Sequence, residues 1–328
     1  MKFGIMLNHQ FQRGDDVASR LAELVTLTET ARDAGYDSLF TSHHYLAALP
    51  TPQPVPLLAR LIPASGSMRL GIGVYLVPFE HPIHLAETFA TLDQLSGGRV
   101  ILGVGAGYRD DEFESFAVDR KTRGPRLIET LELLGELWEG ERVTHRGRFF
   151  AVEDQAISVV PVQRPRPPIW VGASEEKTIR RAARIGDAWL ASPNVKPKFA
   201  MGNLAFFRQE LEDQGIDPTG REHPLLRELY IADTDDAAYT EAESYIRGEY
   251  LAFAEFDPVY AKHYEDMSRK AFLFGSPDTV AERIAELAAG GFNHLIFRTN
   301  WGGMPAEMAR STVQRFSAEV MPRFVEGP

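Results

Sequence analysis

His43 and His44 stand side by side after a short apolar run, Ser38-Leu39-Phe40-Thr41, which itself follows an amphipathic segment closed by Gly35. The run is brief and β-favouring, so it reads as a buried strand. Imidazoles at the carboxyl end of a parallel strand sit where α/β folds place their chemistry. With an ordinary pKa of about 6.5, they can pass protons near neutrality. The alternative is that one ring caps a backbone carbonyl while the other meets solvent. A second cluster is Gly172-Ala173-Ser174, which opens a helix with Thr178 one turn on. Exposed backbone N–H groups and a helix dipole favour a phosphate there, whereas Ser174 as a simple N-cap is the structural alternative. Arg298 and Trp301 leave an apolar strand near the end of the chain. The guanidinium either holds an anionic group of a ligand or pairs with an acidic residue of a loop.

Along the chain, short apolar runs at residues 2–7, 38–41, 69–77, 100–104, 169–171, 188–190, 229–232 and 294–297 alternate with helical periodicity. Eight strands in alternation with helices predict a closed (β/α)8 TIM barrel, a doubly wound two-domain chain being the alternative. One domain is expected over residues 1–328. Residues 141–168 are polar and end in Pro161, Pro165, Pro167 and Pro168, which reads as an inserted hairpin and loop. Residues 253–277 lack a clear period and read as a mobile lid. Strand ends then gather Asn8, His43, His44, Gly105-Ala106-Gly107-Tyr108, Gly172-Ala173-Ser174, Arg298 and Trp301 on one face. Small residues and amides dominate that face, so a large flat ligand fits it better than a divalent metal. No His-x-His or His-x-x-x-His spacing supports zinc. Gly103-x-Gly105-x-Gly107 departs from a dinucleotide fingerprint and reads as a place where a ring approaches the backbone closely.

The 328 residues are 44% hydrophobic and 25% charged, with a net charge of −11. That balance argues against nucleic acid or an anionic membrane as partner. There is no cysteine, so disulfides and thiolate chemistry are excluded and a reducing cytoplasm is expected. The first seven residues read as a strand rather than a signal peptide, and no apolar stretch is long enough for a membrane span.

Several motifs in this order resemble the bacterial luciferase-like, flavin-dependent monooxygenases over nearly the whole length. They are Gly35-Tyr36-Asp37-Ser38 leading to His43-His44-Tyr45, Arg69-Leu70-Gly71-Ile72-Gly73 with Pro78 and His81-Pro82, and residues 92–99. Gly103-Val104-Gly105-Ala106-Gly107 and Val320-Met321-Pro322 complete the set. The resemblance implies a TIM barrel and, as co-substrate, reduced FMN from a separate flavin reductase. The flavin reacts with O2 to a 4a-hydroperoxide that oxygenates a small organic substrate such as an aldehyde or ketone. It further implies a homodimer. A side branch uses a deazaflavin coenzyme for hydride transfer, and a non-catalytic flavin-binding protein is a third reading. By motif position His43 would be the catalytic group with His44 supporting it. Gly73, Val74, Ala106, Tyr108, Gly172, Ala173, Ser174 and Thr178 would hold the cofactor, with a non-prolyl cis peptide at Gly73–Val74. Asn8, Arg298 and Trp301 would face the substrate. Ser42 and Ala106 stand where luciferase has an acid and an arginine.

Overall fold

The structure is a computed structural model that describes residues 1–253 and 259–325, without the side chains of residues 252, 253 and 259–261. Eleven strands run in chain order as Lys2–Met6 (β1), Ser38–Thr41 (β2), Arg69–Leu76 (β3), Val100–Gly105 (β4), Val143–Arg146 (β5), Ala151–Gln155 (β6), Ile169–Gly172 (β7), Ala188–Leu190 (β8), Pro224–Ile231 (β9), Leu273–Gly275 (β10) and His294–Arg298 (β11). Nine of them form one parallel sheet in the order β10-β9-β11-β1-β2-β3-β4-β7-β8. A parallel bridge between Ala191 and Leu225 joins the end of β8 to β9. That bridge closes the sheet into a ring of eight, with β10 attached to the upper half of β9. The eight-stranded barrel is therefore present, and the open two-domain sheet is not.

Each strand sorts its residues by alternation. Phe40 points inward with Met6, Ile101, Trp170, Leu190 and Ile296, which fill the barrel interior. Leu39, its neighbour, belongs to the larger core between strands and helices. Gly103 is required on β4 because a Cβ there would lie 2.0 Å from the Ile72 carbonyl oxygen, and at Gly105 one would meet a Val74 methyl at 2.4 Å. The β3–β4 register shifts between Ile72 and Tyr75, so these glycines accommodate the bulge of β3, while Gly105 and Gly107 also line the cleft at the barrel mouth.

The inserted segment contains the antiparallel hairpin β5–β6. Its turn is held by the Glu129 carboxylate, which accepts the N–H groups of Arg148, Phe149 and Phe150. The stretch expected as an irregular lid is instead a helix over Val259–Ala271 followed by β10, while residues 254–258 lie outside the described residues. The seventh barrel strand begins earlier than expected, at Pro224. Among the described residues no helix is long and apolar enough to cross a membrane.

Candidate active site at the barrel mouth

Beyond the end of β2 the backbone keeps its alternation, so the two histidines point to opposite sides. His43 is 2% exposed, its ring packed on Tyr45 and Tyr75, and it contributes to the wall of the large cleft at the barrel mouth. Its Nδ1 accepts the Leu76 N–H at 3.2 Å, and its Nε2 lies 3.0 Å from Gln53 Oε1. The Gln53 amide nitrogen donates to the His44 carbonyl, so the oxygen of Gln53 accepts from His43 Nε2–H. Both ring nitrogens are thereby engaged. Burial, reinforced by the neighbouring His44 imidazole, pulls the His43 pKa down to about 3, so the ring stays neutral. The leading role expected of His43 would require its Nε2 to leave Gln53.

His44 turns inward. Its Nδ1 is 3.1 Å from Oε1 of the fully buried Glu112, which also accepts the Tyr45 N–H at 2.9 Å. Its Nε2 lies 3.5 Å from the Tyr108 hydroxyl, and the two rings meet edge to face. Glu112 sits on the short helix Asp110–Ser115. Sequence reasoning misses it because Asp110-Asp111-Glu112 looks like a solvated acidic run; the one signal is Phe113 beside it, marking a buried face.

His44 lines two adjoining cavities. The larger is a cleft of about 980 Å³ walled by Val74, Leu76, Ala106, Tyr108, Leu127 and the turn 172–174. The Gly73–Val74 peptide at its base is cis. Cofactor pockets commonly span some 300–1,000 Å³ with apolar walls and a few polar groups, so the cleft accommodates a flavin-sized group. Arg120, Lys121, Arg123 and Arg181 ring its outer end; Arg123 donates to the Gly107 carbonyl and Arg120 pairs with Asp110. The expected phosphate turn is changed in detail. The helix Glu176–Ile185 is capped by Glu175, not Ser174, in a capping box with Thr178. The Thr178 hydroxyl donates to the Glu175 carbonyl and accepts the Glu175 N–H. The residue at the N-terminal end of this helix is thus an acid, and an anion in the cleft is served by the basic side chains that also line it.

The smaller cavity, about 240 Å³, lies deeper and shares Ser42, His44, Gly73, Tyr108, Ser192, Pro193 and Leu226 with the cleft. Asn8, Glu228, Tyr250 and Arg298 line its far side. Here the open choice for Arg298 resolves: its guanidinium pairs with Glu228 at 2.6 Å and Glu249 at 3.2 Å. Trp301 Nε1 and the Tyr250 hydroxyl donate to the same Glu228 carboxylate. Asn8 donates to Glu249. Trp301 is 3% exposed and lies off this cavity, beside a minor crevice. Asn8, Arg298 and Trp301 thus join a buried ionic and polar cluster that shapes the pocket, and no local pattern in the sequence points to Glu228 or Glu249. The described residues contain no cluster suited to a metal ion.

A closed parallel barrel with two adjoining cavities at the carboxyl ends of its strands has the architecture of a barrel enzyme. The sequence profile described as luciferase-like monooxygenase matches residues 1–294, and the chain belongs to that family of oxidoreductases. It is 27% identical to the oxygenase component of the flavin-dependent trigonelline monooxygenase of Acinetobacter baylyi, covering 93% of this chain and 90% of the relative. It is equally 27% identical to an F420-dependent glucose-6-phosphate dehydrogenase of Microbacterium testaceum, over 92% and 93% of the two chains. The crystal structure of the monooxygenase RslO1 from Streptomyces bottropensis superposes with a TM-score of 0.91 at 25% identity, over 99% of this chain and all of that one.

Proposed function

We propose that this protein is the oxygenase of a two-component monooxygenase. It takes reduced FMN from a separate reductase and uses O2 to oxygenate a small organic molecule such as an aldehyde or ketone, acting as a cytoplasmic homodimer. The observation that carries this reading is the junction itself. A cleft of cofactor size and a compact inner pocket share a wall, and His44 stands in both. The trigonelline enzyme and RslO1, both named monooxygenases, support the reaction class.

When bound, the reduced flavin supplies the electrons that activate O2. The chain supplies the rest. Arg123 and Arg181, with Arg120 and Lys121, would hold the phosphate, and Val74, Ala106, Tyr108 and the 172–174 turn would flank the ring system. His44 Nε2 accepts or returns a proton at the reacting oxygen, within hydrogen-bond reach as general acid–base work demands. The apolar inner wall of Met6 and Leu226 keeps water from the junction.

Arg120, Lys121, Arg123 and Arg181 outnumber the acids Asp119 and Glu175 that line the same cleft, and this basic excess favours, as a second reading, a deazaflavin coenzyme with a longer anionic tail and hydride transfer. Anaerobic titration with reduced FMN and with reduced F420, followed by admission of ¹⁸O-labelled O2 with a panel of aldehydes and ketones, separates the two. Tight binding of reduced FMN and label in the product are expected. Tight binding of F420 alone, with no oxygen consumed, would overturn the monooxygenase.

A further inference from the structure

The groups that face the two adjacent histidines call for opposite tautomers. The Leu76 N–H can only donate, so His43 carries its proton on Nε2. A carboxylate accepts, so His44 facing Glu112 carries its proton on Nδ1. Glu112 is placed to impose this. It is wholly buried, its Oε1 is fixed by the Tyr45 N–H as well as by His44, and its Oε2 has no hydrogen-bond partner. Arg109 approaches no nearer than 3.9 Å to Oε1 and is itself committed to Asp111. A buried carboxylate with so few donors concentrates its effect on the imidazole it touches.

We propose that Glu112 is a positioning residue for the reaction: it locks His44 in the Nδ1–H tautomer, leaving the Nε2 lone pair as the proton acceptor at the junction of the two cavities. A proton arriving at Nε2 leaves its electron pair on the donor atom, and the resulting imidazolium keeps its Nδ1 proton against the carboxylate. Tyr108, whose hydroxyl lies 3.5 Å from Nε2, then donates to that lone pair and is displaced from it when Nε2 takes a substrate proton. The inference rests on His44 being the proton-handling group of the proposed function. It adds a residue outside both cavities' cofactor-contacting set that decides whether His44 works.

The decisive measurement is ¹⁵N NMR of the histidine side chains in the cofactor-free protein, with His44→Gln to assign the signals. His44 is expected to show a protonated Nδ1 and a bare Nε2; a protonated Nε2 overturns the proposal. Glu112→Gln, which keeps the shape but presents an amide donor, should yield mixed tautomers and lower kcat roughly 10- to 100-fold. Binding of reduced flavin should stay within about threefold, and Glu112→Asp should recover part of the loss. The double variant His44→Gln, Glu112→Gln should be no slower than His44→Gln alone, because the carboxylate acts only through the ring. Additive losses refute that. If Glu112→Gln does not fold, the wild-type tautomer still decides. If reduced FMN fails to bind, the proposed function falls, while the tautomer measured without cofactor answers separately for Glu112.

Discussion

Arg298 sits where a strand-end arginine could serve a ligand, and nothing in its local sequence says that two carboxylates 49 and 70 residues away claim it. Breaking a buried ion pair leaves an uncompensated charge and costs about 3–5 kcal/mol. Arg298→Met is therefore expected to lower the urea midpoint sharply with two carboxylates stranded. A substrate-binding arginine would instead raise KM at unchanged stability. The histidines divide along the same line. His43→Ala orphans the buried Leu76 N–H and the Gln53 oxygen, each worth about 1–3 kcal/mol, so its main effect should be on the unfolding midpoint. His44→Gln should leave that midpoint nearly in place and cut turnover. Equal stability losses in the two variants, or full turnover in His44→Gln, would reverse the assignment. The pair and the face it lies on are legible in the sequence. Which ring works depends on Gln53 and Glu112, whose contacts at sequence separations of 10 and 68 no local pattern encodes.

Strands are legible because they are short, apolar and buried on both faces, so runs such as 38–41 and 100–104 carry their own signal. The helix Asp235–Phe253 is not. Its buried stripe is Ala238, Ala242, Ile246 and Tyr250, where two alanines and a tyrosine give too little apolar contrast to stand out beside the acids between them. The cap at Glu175 is equally hidden, since a glutamate after Ser174 looks like ordinary first-turn charge. Glycine in this fold likewise acts by context. Gly103 has no room for a methyl against the β3 bulge, whereas a methyl at Gly135, inside the helix Arg123–Trp138, would have nothing within 4 Å. Gly103→Ala should therefore displace β3 or β4 and leave little folded protein. Gly135→Ala should stabilise by about 0.5–1 kcal/mol, the usual gain for removing glycine from a helix interior. Urea unfolding of both variants checks this, and a well-folded Gly103→Ala protein with wild-type stability would contradict the close approach.

Over the whole molecule, four histidines are buried and neutral. Burial is the leading cause in each, bringing His9 and His223 down to about 4 and His43 and His294 down to about 3. In the unfolded chain each takes up its proton near 6.5. Between that value and the folded one, the unfolded state binds more protons than the native state, so stability falls as pH falls. Above about pH 7 the term is fully present; below 6.5 each such histidine removes up to about 1.4 kcal/mol per pH unit until the folded value is reached. Glu222 and Glu129, held low in the folded protein, add to the loss at still lower pH. Glu249, raised by burial, works in the opposite direction but is one group against six. The urea midpoint should accordingly be flat from pH 8 to 7 and fall steeply from 6.5 to 5. A single replacement separates this from a general charge effect on a chain of net charge −11. His294 lies at the closed end of the barrel, bonded to Ser38 Oγ at 2.8 Å and far in the fold from the mouth. His294→Gln retains a polar partner for Ser38 and removes one titrating ring, so its stability should depend less steeply on pH than that of the wild type between 6.5 and 5. An unchanged slope in that variant, or a wild-type midpoint constant down to pH 5, would show that the buried rings do not control the acid response.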